Sequence, residues 1–99
     1  MTFDEVWAEV LKIYAVRSGE RPFYNSRLTG THIDRWSLST GISKPSLYDQ
    51  IAIRVARGYH EREFDFTFCD AVVNHLSVLV TDTYPPPPEV FWDIYFAFD

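Results

Sequence analysis

Apolar residues return at three- and four-residue steps through the start of the chain. Phe3, Val6, Trp7, Val10, Leu11 and Tyr14 line one stripe of a helix. Thr2 with Glu5 three residues on is a capping-box start, and Gly19 is a natural stop, so the pattern predicts a helix over 3–17. From Ser18 to Pro45 a mostly polar stretch is punctuated by Gly19, Pro22, Asn25, Gly30, Gly41 and Pro45. It predicts a long irregular segment holding one short helix around Ile33–Ser39, with Thr31 as its cap. Ser43-Lys44-Pro45 then opens a strong helix over 46–58, with Ser as cap and Pro in the first turn. Its stripe is Leu47, Tyr48, Ile51, Ala52, Val55, Ala56 and Tyr59. Arg54 and Arg57 fall on another face, and Gly58 marks its end.

A connector from His60 to Asp65 leads to a helix over 66–80. Cys69, Val72, Val73, Leu76, Leu79 and Val80 point inward there, while Asp70, Asn74 and Ser77 form a polar stripe. Thr81-Asp82-Thr83 and the prolines 85–88 break the chain. The proline run reads as a rigid spacer whose last member starts a helix over 89–97. Val90, Phe91, Ile94, Tyr95 and Phe98 share one side of it, and Trp92 and Phe96 lie off that side. The expected fold is all-α: a single-domain bundle, residues 1–99, of four to five helices. Its expected core contains Trp7, Leu11, Leu47, Ile51, Val55, Val72, Val73 and Leu76.

Composition narrows the picture. The 99 residues are 46% hydrophobic and include eight Phe, six Tyr and three Trp, while 23% are charged, so a folded globule is expected rather than a disordered chain. Cys69 is the single cysteine, which removes an intramolecular disulfide and points to a reducing compartment. The opening Met1-Thr2-Phe3-Asp4-Glu5 is acidic at once, unlike a secretory signal. The most apolar window, Ala71 to Val80, is interrupted by Asn74, His75 and Ser77, whereas a bilayer span takes about 20 apolar residues. No membrane segment is expected, and a cytoplasmic location is.

The net charge of −5 hides an uneven layout. Residues 17–62 hold eight of the nine cations (Arg17, Arg21, Arg27, Arg35, Lys44, Arg54, Arg57, Arg62) against four acids, a net of +4. From Glu63 onward there are seven acids and no Lys or Arg, a net of −7. Two readings compete: the halves pack together and neutralise each other, or the middle segment offers a surface to anions.

Chemistry is sparse by comparison. His32, His60 and His75 sit in different predicted elements, and HExxH, CxxC, P-loop and GxGxxG motifs are lacking. Cys69 on an apolar stripe reads as packing. No catalytic residue, metal ligand, cofactor or small-molecule substrate is therefore expected. Asp70 and Asn74, at i and i+4, are candidates for a loop clamp or a partner contact, with Arg54 or Arg57 as an ionic partner for Asp70. Trp92 and Phe96 are candidates for burial against the first helix or for an association patch.

Gly41-Ile42-Ser43-Lys44-Pro45-Ser46-Leu47-Tyr48 resembles the turn and recognition-helix start of TetR-type helix-turn-helix regulators, strongly over 41–48 and loosely over 31–51. The resemblance implies that Gly41 permits the turn, Ile42 and Leu47 pack the two helices together, and Lys44, Ser46 and Tyr48 face phosphates or base edges. Arg54 and Arg57 would add phosphate contacts, and Thr31–Ser37 would belong to the supporting helix. The favoured expectation is a small non-enzymatic helical protein of a bacterial-type accessory or regulatory kind, working through a protein partner or self-association. The alternative is DNA binding through residues 31–57.

Overall fold

The computed structural model describes residues 1–14, 28–81 and 88–98. They form five helices: α1 (Phe3–Ile13), α2 (Gly30–Thr40), α3 (Lys44–His60), α4 (Phe66–Thr81) and α5 (Phe91–Phe98). The described residues include no strand, and the fold is all-α.

A helix leaves its first amide groups without intrahelical acceptors, and capping side chains satisfy some of them here. Thr2 and Glu5 exchange the reciprocal bonds of a capping box at α1. At α2 the cap is Thr29 rather than Thr31, and its N–H donates to His32 Nδ1 at 3.1 Å, with histidine in the place usually held by Glu or Gln. Gly41, at φ 75°, ends α2 in the left-handed conformation that glycine adopts without strain. Ser43 caps α3 by accepting from Ser46 N, and Asp65 caps α4 by accepting from Phe68 N at 2.9 Å.

α3 does not stop at Gly58. A Cβ at that position would overlap the Phe64 ring, so the glycine serves packing rather than termination. The helix runs on to His60 and closes in a Schellman motif. Glu63 N donates to Gly58 O at 2.7 Å and Arg62 N to Tyr59 O at 3.1 Å, with Arg62 at φ 60° where glycine is usual. This reversal folds Phe64 back onto α3.

α3 is the central element and packs against α2, α4 and α5. Asp49, near its start, meets the start of α5, and Tyr59, near its end, meets Phe98 at 5.2 Å between ring centroids, so α3 and α5 run parallel. Phe66 at the start of α4 also meets Phe98, which makes α4 antiparallel to both. Leu47, Ile51 and Val55 of α3, Val72, Val73 and Leu76 of α4, and Phe91 of α5 are almost completely buried in one core. α1 joins through Trp7, against Phe64 and Phe68, and through Tyr14, against Phe68 and His75. Trp36 of α2 is fully buried and donates its indole N–H to Glu9 of α1.

Several expectations change. Leu11 is 39% exposed because burial on α1 follows Val6, Val10 and Tyr14 with Trp7 beside them, leaving Leu11 at the outer edge. Tyr59 is likewise exposed at the end of α3. The long irregular segment is shorter than its glycines and prolines suggest, since α2 occupies eleven residues of it. Residues 15–17 of the first predicted helix, its stop at Gly19, residues 18–27 of the irregular segment, Asp82, Thr83 and the prolines 85–87 lie outside the described residues. Among the described residues no helix is long and apolar enough to cross a membrane.

Candidate functional site

α2, a turn at 41–43 and α3 have the connectivity of a helix-turn-helix, which makes the exposed side of α3 the first surface to inspect. Tyr48 does not face it. It is 2% exposed and belongs to the core, because the apolar period of α3 claims position 48 over the reading taken from the turn. Ser46 is half-buried and accepts a hydrogen bond from Gln50 Nε2 at 3.0 Å. Lys44 is exposed, but its ammonium lies 2.6 Å from Asp34 of α2, and that contact raises the Lys44 pKa above its ordinary value. Arg57 is exposed and makes no ion pair with another described residue.

Arg54 is a structural cation. Its guanidinium donates to Glu63 at 2.8 Å and sits 5.2 Å from the Trp7 ring centre and 5.5 Å from that of Phe64. The bond to Glu63 pushes the Arg54 pKa up and holds the Glu63 carboxyl below its usual range. A flat cation stacked between aromatic faces ties α1, α3 and the α3–α4 turn together. The ionic partner of Arg54 is therefore Glu63, not Asp70. Arg35 is similarly engaged, 3.3 Å from Glu9. Three of the five described cations in the basic stretch, Arg35, Lys44 and Arg54, are thus spent on contacts within the fold.

Asp49 of α3 clamps the approach to α5. Asp49 accepts from the backbone N–H groups of Glu89 at 2.8 Å and of Val90 and Phe91 at 2.9 Å each. A carboxylate on α3 thereby satisfies the start of α5, where Pro88-Glu89-Val90 supplies no Ser, Thr, Asp or Asn of its own. That missing cap is the signal in the sequence that some other element must provide an acceptor. Asp70 and Asn74 are half-buried on α4, and neither side chain hydrogen-bonds to another described residue.

α5 packs on α3 and α4. Phe91 and Phe98 are buried, Trp92 is half-buried, and Phe96 is 66% exposed, in contact with Trp92 and Tyr95. Asp93 and Ala97 share the exposed side, and Glu89 just ahead of the helix is exposed as well. At the end of the bundle Tyr59 and Phe66, both about half exposed, flank Phe98.

Two concavities complete the surface. One of about 570 Å³ lies at the α3–α4 turn, lined by Tyr59, His60, Arg62, Glu63, Phe64 and Asp65. A smaller one of about 190 Å³ is lined by Leu28, Thr29, Gly30, His75, Val78 and Leu79. Beside it Tyr14 Oη lies 2.6 Å from His75 Nδ1 and accepts from Leu28 N, a contact that joins α1, α4 and the approach to α2. Among the described residues no three His, Cys, Asp or Glu side chains are grouped as metal ligands. Cys69 is buried, and burial pushes its thiol up to about 11, in keeping with packing rather than nucleophilic chemistry. Comparison with known protein families, with curated proteins and with solved structures finds no match for this chain.

Proposed function

We propose that this chain is a non-enzymatic protein-interaction module of accessory or regulatory type, and that it docks its partner through the outward side of α5. The observation that carries this reading is Phe96. A phenylalanine left 66% exposed beside a half-buried Trp92, on a helix otherwise used to close the core, is expensive surface for a chain that has no use for it. Leu38 on α2 is more exposed still, but it stands alone among Thr31, Asp34 and Arg35, and single surface apolar residues are ordinary. A cytoplasmic location belongs to the same reading and rests on the lone buried cysteine.

The alternative, DNA binding through residues 31–57, draws on the α2–turn–α3 connectivity and on exposed Arg57. Against it stand a Tyr48 in the core and three cations already paired. Fluorescence anisotropy against random duplex at low salt separates the two, since even non-specific binders reach about 10⁻⁴–10⁻⁶ M. No binding is expected. Salt-sensitive binding weakened by Arg57→Glu would favour the alternative. The positive test is a photo-crosslinking side chain at position 96, with position 38 as the control, in cells that make the protein. A discrete adduct specific to position 96 is expected. The same pattern from both positions would defeat the reading.

A further inference from the structure

Building on that reading, we infer that the partner segment seated on α5 is a cationic amphipathic helix, with Lys or Arg beside an apolar strip. At about 100° per residue, Trp92, Phe96 and Asp93 follow one another around α5, so the aromatic edge is bordered at once by a carboxylate. Glu89, ahead of the helix, adds a second exposed acid. On α4 the residues Phe66, Asp70 and Asn74 recur at i, i+4 and i+8, and Phe66 of that row touches Phe98. The row therefore borders α5, which runs antiparallel beside it. Asp70, Glu89 and Asp93 have no ion-pair partner among the described residues, whereas Glu9, Asp34 and Glu63 are all paired with cations. No Lys or Arg occurs from Glu63 onward to neutralise these acids from within their own part of the chain.

Charge complementarity selects the occupant. A second copy laid α5 against α5 would bring its own Glu89 and Asp93 to a face that already carries those acids, with no Lys or Arg of α5 to offset them, and like charges disfavour such pairing. A basic helix meets the acids from its flanks, lays its apolar strip on Phe96, and offers Trp92 a cation for its ring face.

The test uses the full chain and two helical peptides with the same leucine strip, one carrying Lys and the other Glu on its polar face. Binding is followed by calorimetry and tryptophan fluorescence. The Lys peptide is expected to bind and the Glu peptide to fail. Phe96→Ser, at an exposed site that leaves the core untouched, should abolish the binding. Asp93→Asn with Asp70→Asn should weaken it about tenfold, equivalent to about 1.4 kcal/mol. Equal binding of both peptides, binding of neither, or Lys-peptide binding indifferent to Phe96→Ser each overturns the inference. So does a concentration-dependent dimer in sedimentation that Phe96→Ser dissolves, which would make a second copy the occupant. Specific adducts from position 96 without a preference for the Lys peptide would sink this inference and leave the interaction reading standing. Loss of those adducts would remove the reading itself.

Discussion

Replacing Asp49 with alanine should loosen α5 from the bundle, and the size of the effect follows from its contacts. Asp49 accepts three backbone N–H groups, from Glu89, Val90 and Phe91, at 2.8–2.9 Å. A hydrogen bond to a charged group contributes about 1.5–3 kcal/mol, but water can replace part of each one lost. The Glu89 amide is exposed and is rehydrated readily, whereas those of Val90 and Phe91 are part-buried. Loss of an N-cap side chain costs about 0.5–2 kcal/mol, and loss of a negative charge at a helix N-terminus about 0.3–1 kcal/mol more. Taken together these give a destabilisation of about 1–3 kcal/mol, a sizeable share of the 5–15 kcal/mol typical of a folded protein. Urea denaturation with a shared slope would measure it, and amide hydrogen exchange would locate it, with α5 exchanging faster than α3. Asp49→Asn, which keeps one acceptor oxygen, should lose roughly half as much. A loss below about 0.5 kcal/mol with unchanged exchange in α5 would refute the clamp.

Other consequences are more local. Arg62→Gly should raise stability by about 0.5–1 kcal/mol in urea unfolding, since Arg62 holds φ 60° at the Schellman position, and a lower midpoint would contradict the strain. His32 has its pKa lowered below 6.5, first by burial and then by Arg35, with Glu9 opposing. The folded state therefore resists a proton that the unfolded chain accepts, so the stability is present above about pH 6.5 and lost as pH falls through the lowered folded value. His32→Gln keeps an acceptor for the Thr29 N–H and should lose less stability than the parent chain between about pH 7.5 and pH 5, and equal losses would exclude His32 as the source. Cys69, buried with its thiol at about 11, should react with a thiol reagent near pH 8 only as fast as the chain unfolds; immediate reaction would contradict its burial.

The sequence carries its local physics openly and its long-range physics hardly at all. Thr2 with Glu5, and Ser43 ahead of Lys44-Pro45, start helices where their hydrogen bonds form, because a cap acts within one turn. The α2 start at Thr29 is less legible, since His32 performs the back-reaching role usually given to Glu or Gln. Gly58 suggests a stop until Phe64 is seen on top of it, six residues away across a reversal. The bond from Asp49 to Val90 spans 41 residues, and nothing near either residue announces the other. Tyr48 is the instructive conflict: its place in the apolar period and its place in the turn resemblance cannot both hold. Burial of an aromatic ring at the centre of a bundle outweighs an outward contact that a smaller polar residue could also make.

The ion pairs among the described residues account for part of the charge layout. The sequence allows two readings, partial neutralisation of the halves by each other and an anion-facing middle, and the described ion pairs bear on part of each. Among the described residues one pair, Arg54–Glu63, links the basic stretch to the acidic remainder, while Lys44–Asp34 lies within the stretch and Arg35–Glu9 reaches back to α1. Three of the five described cations of the stretch are thus held by acids of the fold, and Arg57 and Arg62 form no ion pair with a described residue. Asp65 caps α4, while Asp70 on α4 and Glu89 and Asp93 at α5 have no ion-pair partner among the described residues. Exposed acids keep such an aromatic surface hydrated and discourage it from sticking to copies of itself. They do so without cost to a partner that brings the opposite charge. Among the described residues the surface around Phe96 is acidic and aromatic, and that combination is the ground on which α5, rather than the basic stretch, is proposed as the docking side.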